Sequence, residues 1–293
     1  MTKVQAPRTA ETILQRQHRR ARIAGLTKKL SCIALVLITL IPFYISVIYS
    51  IKYKNEITIS HLAWPKNPTL DNYIRVVTEN EQFLVGLKNS ILTTIPTIFL
   101  LMVVCSMAAW VLARNNTRFY SLMYVIMTMG TLIPFQCIML PLYLNMFNAG
   151  LVSTNLGFII ARSGLQVSIS ILVITSFVKT VPKELEQAAE IDGCGRFQTF
   201  WKIVFPLLKP MTVTLFILTF MNIWNDFGTT IYFLNTSENY TLPLTIYNFF
   251  STHSSDWNLV FTDVVIVSLP VVLLYFCAQK QIMSGMTSGA VKG

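Results

Sequence analysis

Apolar residues in this chain come in long unbroken runs, not in the alternating or one-sided patterns of soluble strands and helices. Six runs stand out, over residues 30–49, 89–112, 120–143, 156–178, 211–234 and 260–276. A helix rises 1.5 Å per residue, so about 20 apolar residues cross a hydrocarbon core of about 30 Å. Each run predicts a membrane-spanning helix, the last one short but extendable at either end. Helices satisfy their own backbone groups in lipid, so the expected fold class is all-α, a polytopic membrane protein with six transmembrane helices.

The polar positions between the runs assign the sides. Ahead of the first run lie Lys3, Arg8, Arg16, Arg19, Arg20, Arg22, Lys28 and Lys29 against one acid, Glu11. The connection from the second run to the third holds Arg114 and Arg118. That after the fourth holds Lys179, Lys183, Arg196, Lys202 and Lys209. The connections after the third and fifth runs hold no Lys or Arg, and residues 52–81 carry four bases and four acids. Basic loops stay on the cytoplasmic side, so both termini are expected there. Residues 1–29 read as a basic cytoplasmic leader, resting on the anionic inner leaflet, and 30–293 as the six-span domain. The leader is too long for a signal peptide, and no small-residue cleavage site follows Tyr49.

Composition agrees with this picture. The chain is 53% hydrophobic and 12% charged, against about 25% charged in a soluble domain. Its net charge of +10 follows from topology, so no nucleic-acid partner is expected. The five cysteines include no CxxC pair and the histidines stand apart, so neither disulfides nor a metal site are expected. There is no phosphate-binding GxxxxGK[ST] loop and no nucleophile–base arrangement, so no enzymatic activity and no cofactor are expected in this chain.

One cytoplasmic stretch, residues 182–210, reads as two short helices around a turn. Pro182 suits a first turn, and Glu184 and Glu186 face the positive end of a helix dipole. Asp192-Gly193 supplies the turn, since glycine enters the left-handed region freely. Phe197, Phe200, Trp201 and Ile203 follow, then Pro206 and Pro210 lead into the fifth run. Ala188 and Ala189 leave a smooth surface for another protein.

This stretch resembles the EAA loop of binding-protein-dependent ABC importer permeases. Gln187-Ala188-Ala189-Glu190-Ile191-Asp192-Gly193 and Ile203-Val204-Phe205-Pro206 match its pattern, with Gln187 where the family has Glu. Asn67 to Tyr73, Lys88-Asn89-Ser90, Trp224-Asn225-Asp226 and the tail 286–293 are similar to the second, six-span permease of maltose-type carbohydrate importers. The resemblance implies a coupling helix between spans four and five, docking on an ATPase through Glu186, Gln187, Ala188, Ala189, Asp192 and Gly193. It further implies a second permease, two cytoplasmic ATPases that bind ATP and Mg, an extracytoplasmic sugar-binding protein, and a bacterial cytoplasmic (inner) membrane.

Polar residues inside the runs are candidates for a sugar pathway, because polar groups in a bilayer turn toward protein or water. They are Gln136, Gln166, Ser168, Ser170, Asn222, Trp224, Asn225 and Asp226. An indole beside amide and carboxylate groups suits a sugar, while bonding between helices is the plainer role. Arg162 is expected to snorkel to the outer surface, with a cavity-facing role toward an acidic sugar as the alternative. Asp263 is expected at the outer interface. A self-contained secondary transporter and an ABC permease for a non-sugar solute are the competing functions.

Overall fold

The computed structural model describes residues 8–249 and 256–290, with side chains placed over 22–249 and 256–281. The described residues contain no strand. In chain order the helices are α1 (Arg8–Ser50), α2 (Lys54–Ile59), α3 (Asp71–Glu79), α4 (Phe83–Arg114), α5 (Arg118–Met129), α6 (Phe135–Asn148) and α7 (Asn155–Val178). There follow α8 (Glu184–Ile191), α9 (Arg196–Thr199), α10 (Phe205–Leu207), α11 (Lys209–Trp224), α12 (Thr230–Phe233) and α13 (Trp257–Ala290). The leader from Arg8 is continuous with the first apolar run as α1. Lys3 and the last three residues of the tail 286–293 lie outside the described residues, as do the leader's side chains up to residue 21, while Ile23 and Leu26 are exposed on α1.

Four segments are long and apolar enough to cross a membrane: residues 22–50 of α1, then α4, α7, and residues 257–281 of α13. Two bent pairs bring the number to six if each is one span. The first pair breaks the helix predicted over 120–143 into two. After α5 a 3-10 turn (Gly130–Leu132) ends at Ile133, and α6 leaves at 104°. Pro134 has no N–H to donate and holds Ile133 extended, at ψ 116°. The run at 211–234 is also interrupted, because α11 ends at Trp224 and helix resumes only at Thr230.

The core follows from a ridge on α4. Asn89, Thr93, Thr97, Leu101, Cys105, Ala109 and Ala113 recur at every fourth position, and all are buried. Such a ridge of mostly small side chains lets α7 approach closely, and Phe158, Ala161, Ile171, Ile174 and Val178 fill the seam from the other side. At the start of α7 the preceding connection folds back closely, and a Cβ on Gly157 would overlap the carbonyl of Leu151. Gly157→Ala should therefore destabilise the purified protein by about 1–3 kcal/mol through overpacking. A lowered midpoint of thermal unfolding in detergent would show it, and an unchanged midpoint would mean that the 149–154 connection moves aside freely.

A second cluster (Val76, Phe83, Trp224, Leu242, Leu259 and Val260 among its buried members) ties α3 and the 242–249 turn to α13. Asp263 sits beside this packing. It is fully buried, with Thr245 Oγ1 at 3.1 Å from its carboxylate.

Candidate functional site

Two places gather the residues that the sequence singled out. The first is the loop around α8. Its C-terminus closes in a Schellman motif: Cys194 N–H donates to Ala189 O at 2.9 Å and Gly193 N–H to Glu190 O at 3.0 Å. The closure needs Gly193 at φ +83°, inside the left-handed region. Gln187, Ala188, Asp192 and Gly193 are exposed on α8 and at its end, beside Ile191 at 87% exposure.

Glu186 and Ala189 are buried on the opposite side. The expectation that Glu186 faces a partner is corrected by its contacts. Trp110 Nε1 donates to its Oε2 at 2.9 Å, and Arg114 Nε to its Oε1 at 2.8 Å. Arg114 also donates to Val181 O at 2.9 Å. With side chains only 12% and 11% exposed, Arg114 and Glu186 form a buried ion pair that rivets α8 to the end of α4. Sequence reasoning read Arg114 only as a marker of sidedness and passed over Trp110. Their spacing of four residues, which places both on one face of a helix end, was the available signal.

Behind α8 the chain packs its aromatic residues. Phe200 is buried with its ring 5.6 Å from Trp110, and Trp201 lies 5.0 Å from Phe205. At Leu208 the helical stretch 196–207 turns by 72° into α11. A displacement of α8 therefore has two rigid routes inward, through the ion pair to α4 and through this joint to α11.

The second place is a cavity of about 810 Å³ between the α5–α6 elbow and α7. Its polar lining is Thr131, Asn145, Ser168 and Arg162, and its largest apolar faces include Phe135 and Ile138. Gly130 leaves the space that Ser168 occupies. Of the pathway candidates, Arg162 and Ser168 line this cavity. Gln136 is exposed on α6 and Gln166 half-buried on α7, both outside the lining.

Arg162 does not snorkel outward. Its Nε lies 2.9 Å from Asp226 Oδ2, in an ion pair whose side chains are 11% and 8% exposed, although the N–H is not aligned as a hydrogen bond. Its Nη2 donates to Asn222 O at 3.1 Å and to Asn222 Oδ1 at 3.2 Å. The guanidinium so caps the negative end of α11, where the last carbonyls lack helical partners. Asp226 reaches the same point from the break after α11 and accepts from Thr229 N–H at 2.8 Å.

Trp224 is packed away from the cavity. Its Nε1 donates to Val267 O at 3.0 Å, and its ring stacks on Phe220 at 5.3 Å. With the indole 4% exposed, it locks α11 to α13 and offers no face to a sugar in this conformation. Asn225 is exposed in the break.

Residues 105–288 match the model of the family described as binding-protein-dependent transport system inner membrane component. The chain belongs to this family. The matched region takes in α8, the cavity, the Arg162–Asp226 pair and most of α13. Beyond it, this member is 36% identical over 260 residues to the probable starch degradation products transport system permease protein of Thermoanaerobacterium thermosulfurigenes, covering 89% of this chain and 94% of that one. It is 33% identical to the melibiose/raffinose/stachyose import permease protein of Bacillus subtilis, covering 86% and 91%. Among solved structures, a bacterial ABC transporter that imports the acidic polysaccharide alginate has a chain of similar fold, with a TM-score of 0.78 at 21% identity, covering 89% of this chain and 97% of that one. A second structure of an alginate transporter, in complex with a pentasaccharide-bound periplasmic protein, gives a TM-score of 0.68 at 13% identity.

Proposed function

We propose that this chain is the six-span permease subunit of an ATP-driven importer that moves an oligosaccharide across the cytoplasmic membrane. Each bent pair, α5 with α6 and 196–207 with α11, counts as one span, and both termini lie in the cytoplasm. A second permease completes the pathway, two separate ATPase subunits bind and hydrolyse ATP with Mg, and an extracytoplasmic binding protein delivers the sugar. The chain itself does no chemistry.

The observation that carries this reading is the build of the α8 loop. An exposed face of Gln187, Ala188, Ile191, Asp192 and Gly193 is presented by a helix whose other side is riveted to α4. Such a surface suits a partner that pushes. Sugar as cargo is supported by the named cargoes of the two relatives, one of starch degradation products and one of melibiose, raffinose and stachyose. Closure of the ATPases would bring the docked loops together and tilt α4 and α11, opening the pathway alternately to either side.

The test is the ATPase activity of the reconstituted complex with its binding protein and a panel of oligosaccharides. Stimulation by a sugar together with ATP-dependent uptake is expected. Uptake that follows a proton or sodium gradient without ATP would overturn the reading in favour of a secondary transporter.

A further inference from the structure

We infer that the cavity selects uncharged saccharides, and that Asp226 is the residue that sets this preference by neutralising Arg162. The inference rests on the importer reading and adds the charge class of its cargo. Arg162 is the one ionisable residue in the lining of the 810 Å³ cavity between the α5–α6 elbow and α7. An unpaired guanidinium there would draw in carboxylated or sulfonated sugars. This one is already matched, with Asp226 at 2.9 Å and both side chains nearly buried.

An anion approaching Arg162 meets attraction from the guanidinium and repulsion from a carboxylate a few ångströms behind it. The two largely offset, and the anion would still lose its hydration in a mostly apolar pocket. A neutral sugar also sheds water, but its hydroxyls cost far less to desolvate than a charge does. Nε of Arg162 is held by Asp226 and Nη2 by Asn222, so Nη1 is the guanidinium nitrogen without a partner among the described residues. Its N–H groups, with the Thr131 and Ser168 hydroxyls and the Asn145 amide, can bond sugar hydroxyls, while Phe135 and Ile138 accept an apolar sugar face. The alginate importer's likeness is one of fold and transfers no charge preference.

The charge rule is read on the whole complex in nanodiscs without the binding protein, so that only the membrane pathway selects. Equilibrium dialysis compares labelled neutral oligosaccharides, such as raffinose, stachyose and maltotriose, with oligogalacturonates of matched length. The wild type should bind at least one neutral probe and bind the uronates at least about tenfold more weakly. Asp226→Asn keeps the shape but frees the charge of Arg162, and should raise the ratio of uronate to neutral affinity by about tenfold or more. Adding Arg162→Gln to Asp226→Asn should reverse that gain. Uronates bound by the wild type as tightly as the best neutral probe would overturn the inference, whether or not the variants assemble. So would an Asp226→Asn complex that assembles with an unchanged ratio. If the wild type binds neither class, and no sugar stimulates its ATPase with the binding protein present, the importer reading fails. If a sugar does stimulate it but neither class binds to the complex alone, selection lies outside this cavity and the inference alone falls.

Discussion

Gly193→Val should reduce sugar-stimulated ATPase activity and uptake at least tenfold while the chain still inserts in the membrane. The argument is one of backbone geometry. Gly193 holds φ +83° and a Cβ there would meet nothing within 4 Å, so the β-carbon itself clashes with no neighbour. The backbone cost of forcing a β-branched residue into the left-handed region is about 1–2 kcal/mol or more. The chain can avoid this by unwinding the Schellman closure, which releases the Cys194-to-Ala189 bond and changes the angle between α8 and α9. The end of α8, with Asp192 and Gly193, is the exposed tip that the proposed ATPase cleft would grip. Its loss should uncouple the complex. Gly193→Asn is the control, since asparagine tolerates this conformation best among the other residues and should keep activity within about threefold. Wild-type coupling in the valine variant would mean that the end of α8 is not the docked surface.

The contrast between what hydropathy could and could not foresee follows from the range of the interactions involved. The runs at 89–112, 156–178 and 260–276 correspond closely to parts of α4, α7 and α13 because spanning helices are specified by local apolarity. The elbow inside 120–143 was hidden because the residues on both sides of the break are apolar. Only Pro134 marked it, and proline alone is tolerated in membrane helices. The end of α11 at Trp224 was marked in the same way by Asn225-Asp226 and Gly228.

The Schellman turn at Gly193 was legible, since its signal lies within six residues. The Arg162–Asp226 pair was not, because 64 positions separate partners that meet only once α7 packs beside α11. Both residues were singled out for being polar in lipid, which said that each needed a partner without naming the other. Glu186 was misread for a related reason. Its spacing of three from Ala189 puts both on one buried stripe, but a carboxylate is normally assigned to solvent unless its counter-charge is known.

That misreading leads to an opposite expectation for Glu186→Ala, which should damage the protein before any partner is added. The substitution strands Arg114 in a site where its side chain is 12% exposed, with Val181 O as its remaining acceptor among the described residues. Breaking a buried ion pair by removing one partner costs about 3–5 kcal/mol, because a desolvated charge is left uncompensated. The Trp110 N–H loses its acceptor as well. Thermal unfolding of the purified chain in detergent should show the loss, with Arg114→Ala producing one of similar size. The double variant Arg114→Met/Glu186→Leu removes both charges and should recover much of the stability, since no charge is left unpaired and only the neutral Trp110 N–H and Val181 O lose a partner. Its coupling should still be reduced, because α8 would then be held to α4 by apolar packing without directional bonds, and a push on α8 would reach α4 less faithfully. A docking role for Glu186 makes the reverse prediction: the isolated chain would be as stable as the wild type after Glu186→Ala, and only assembly with the ATPase would suffer. Stability without the partner therefore separates an inward rivet from an outward contact.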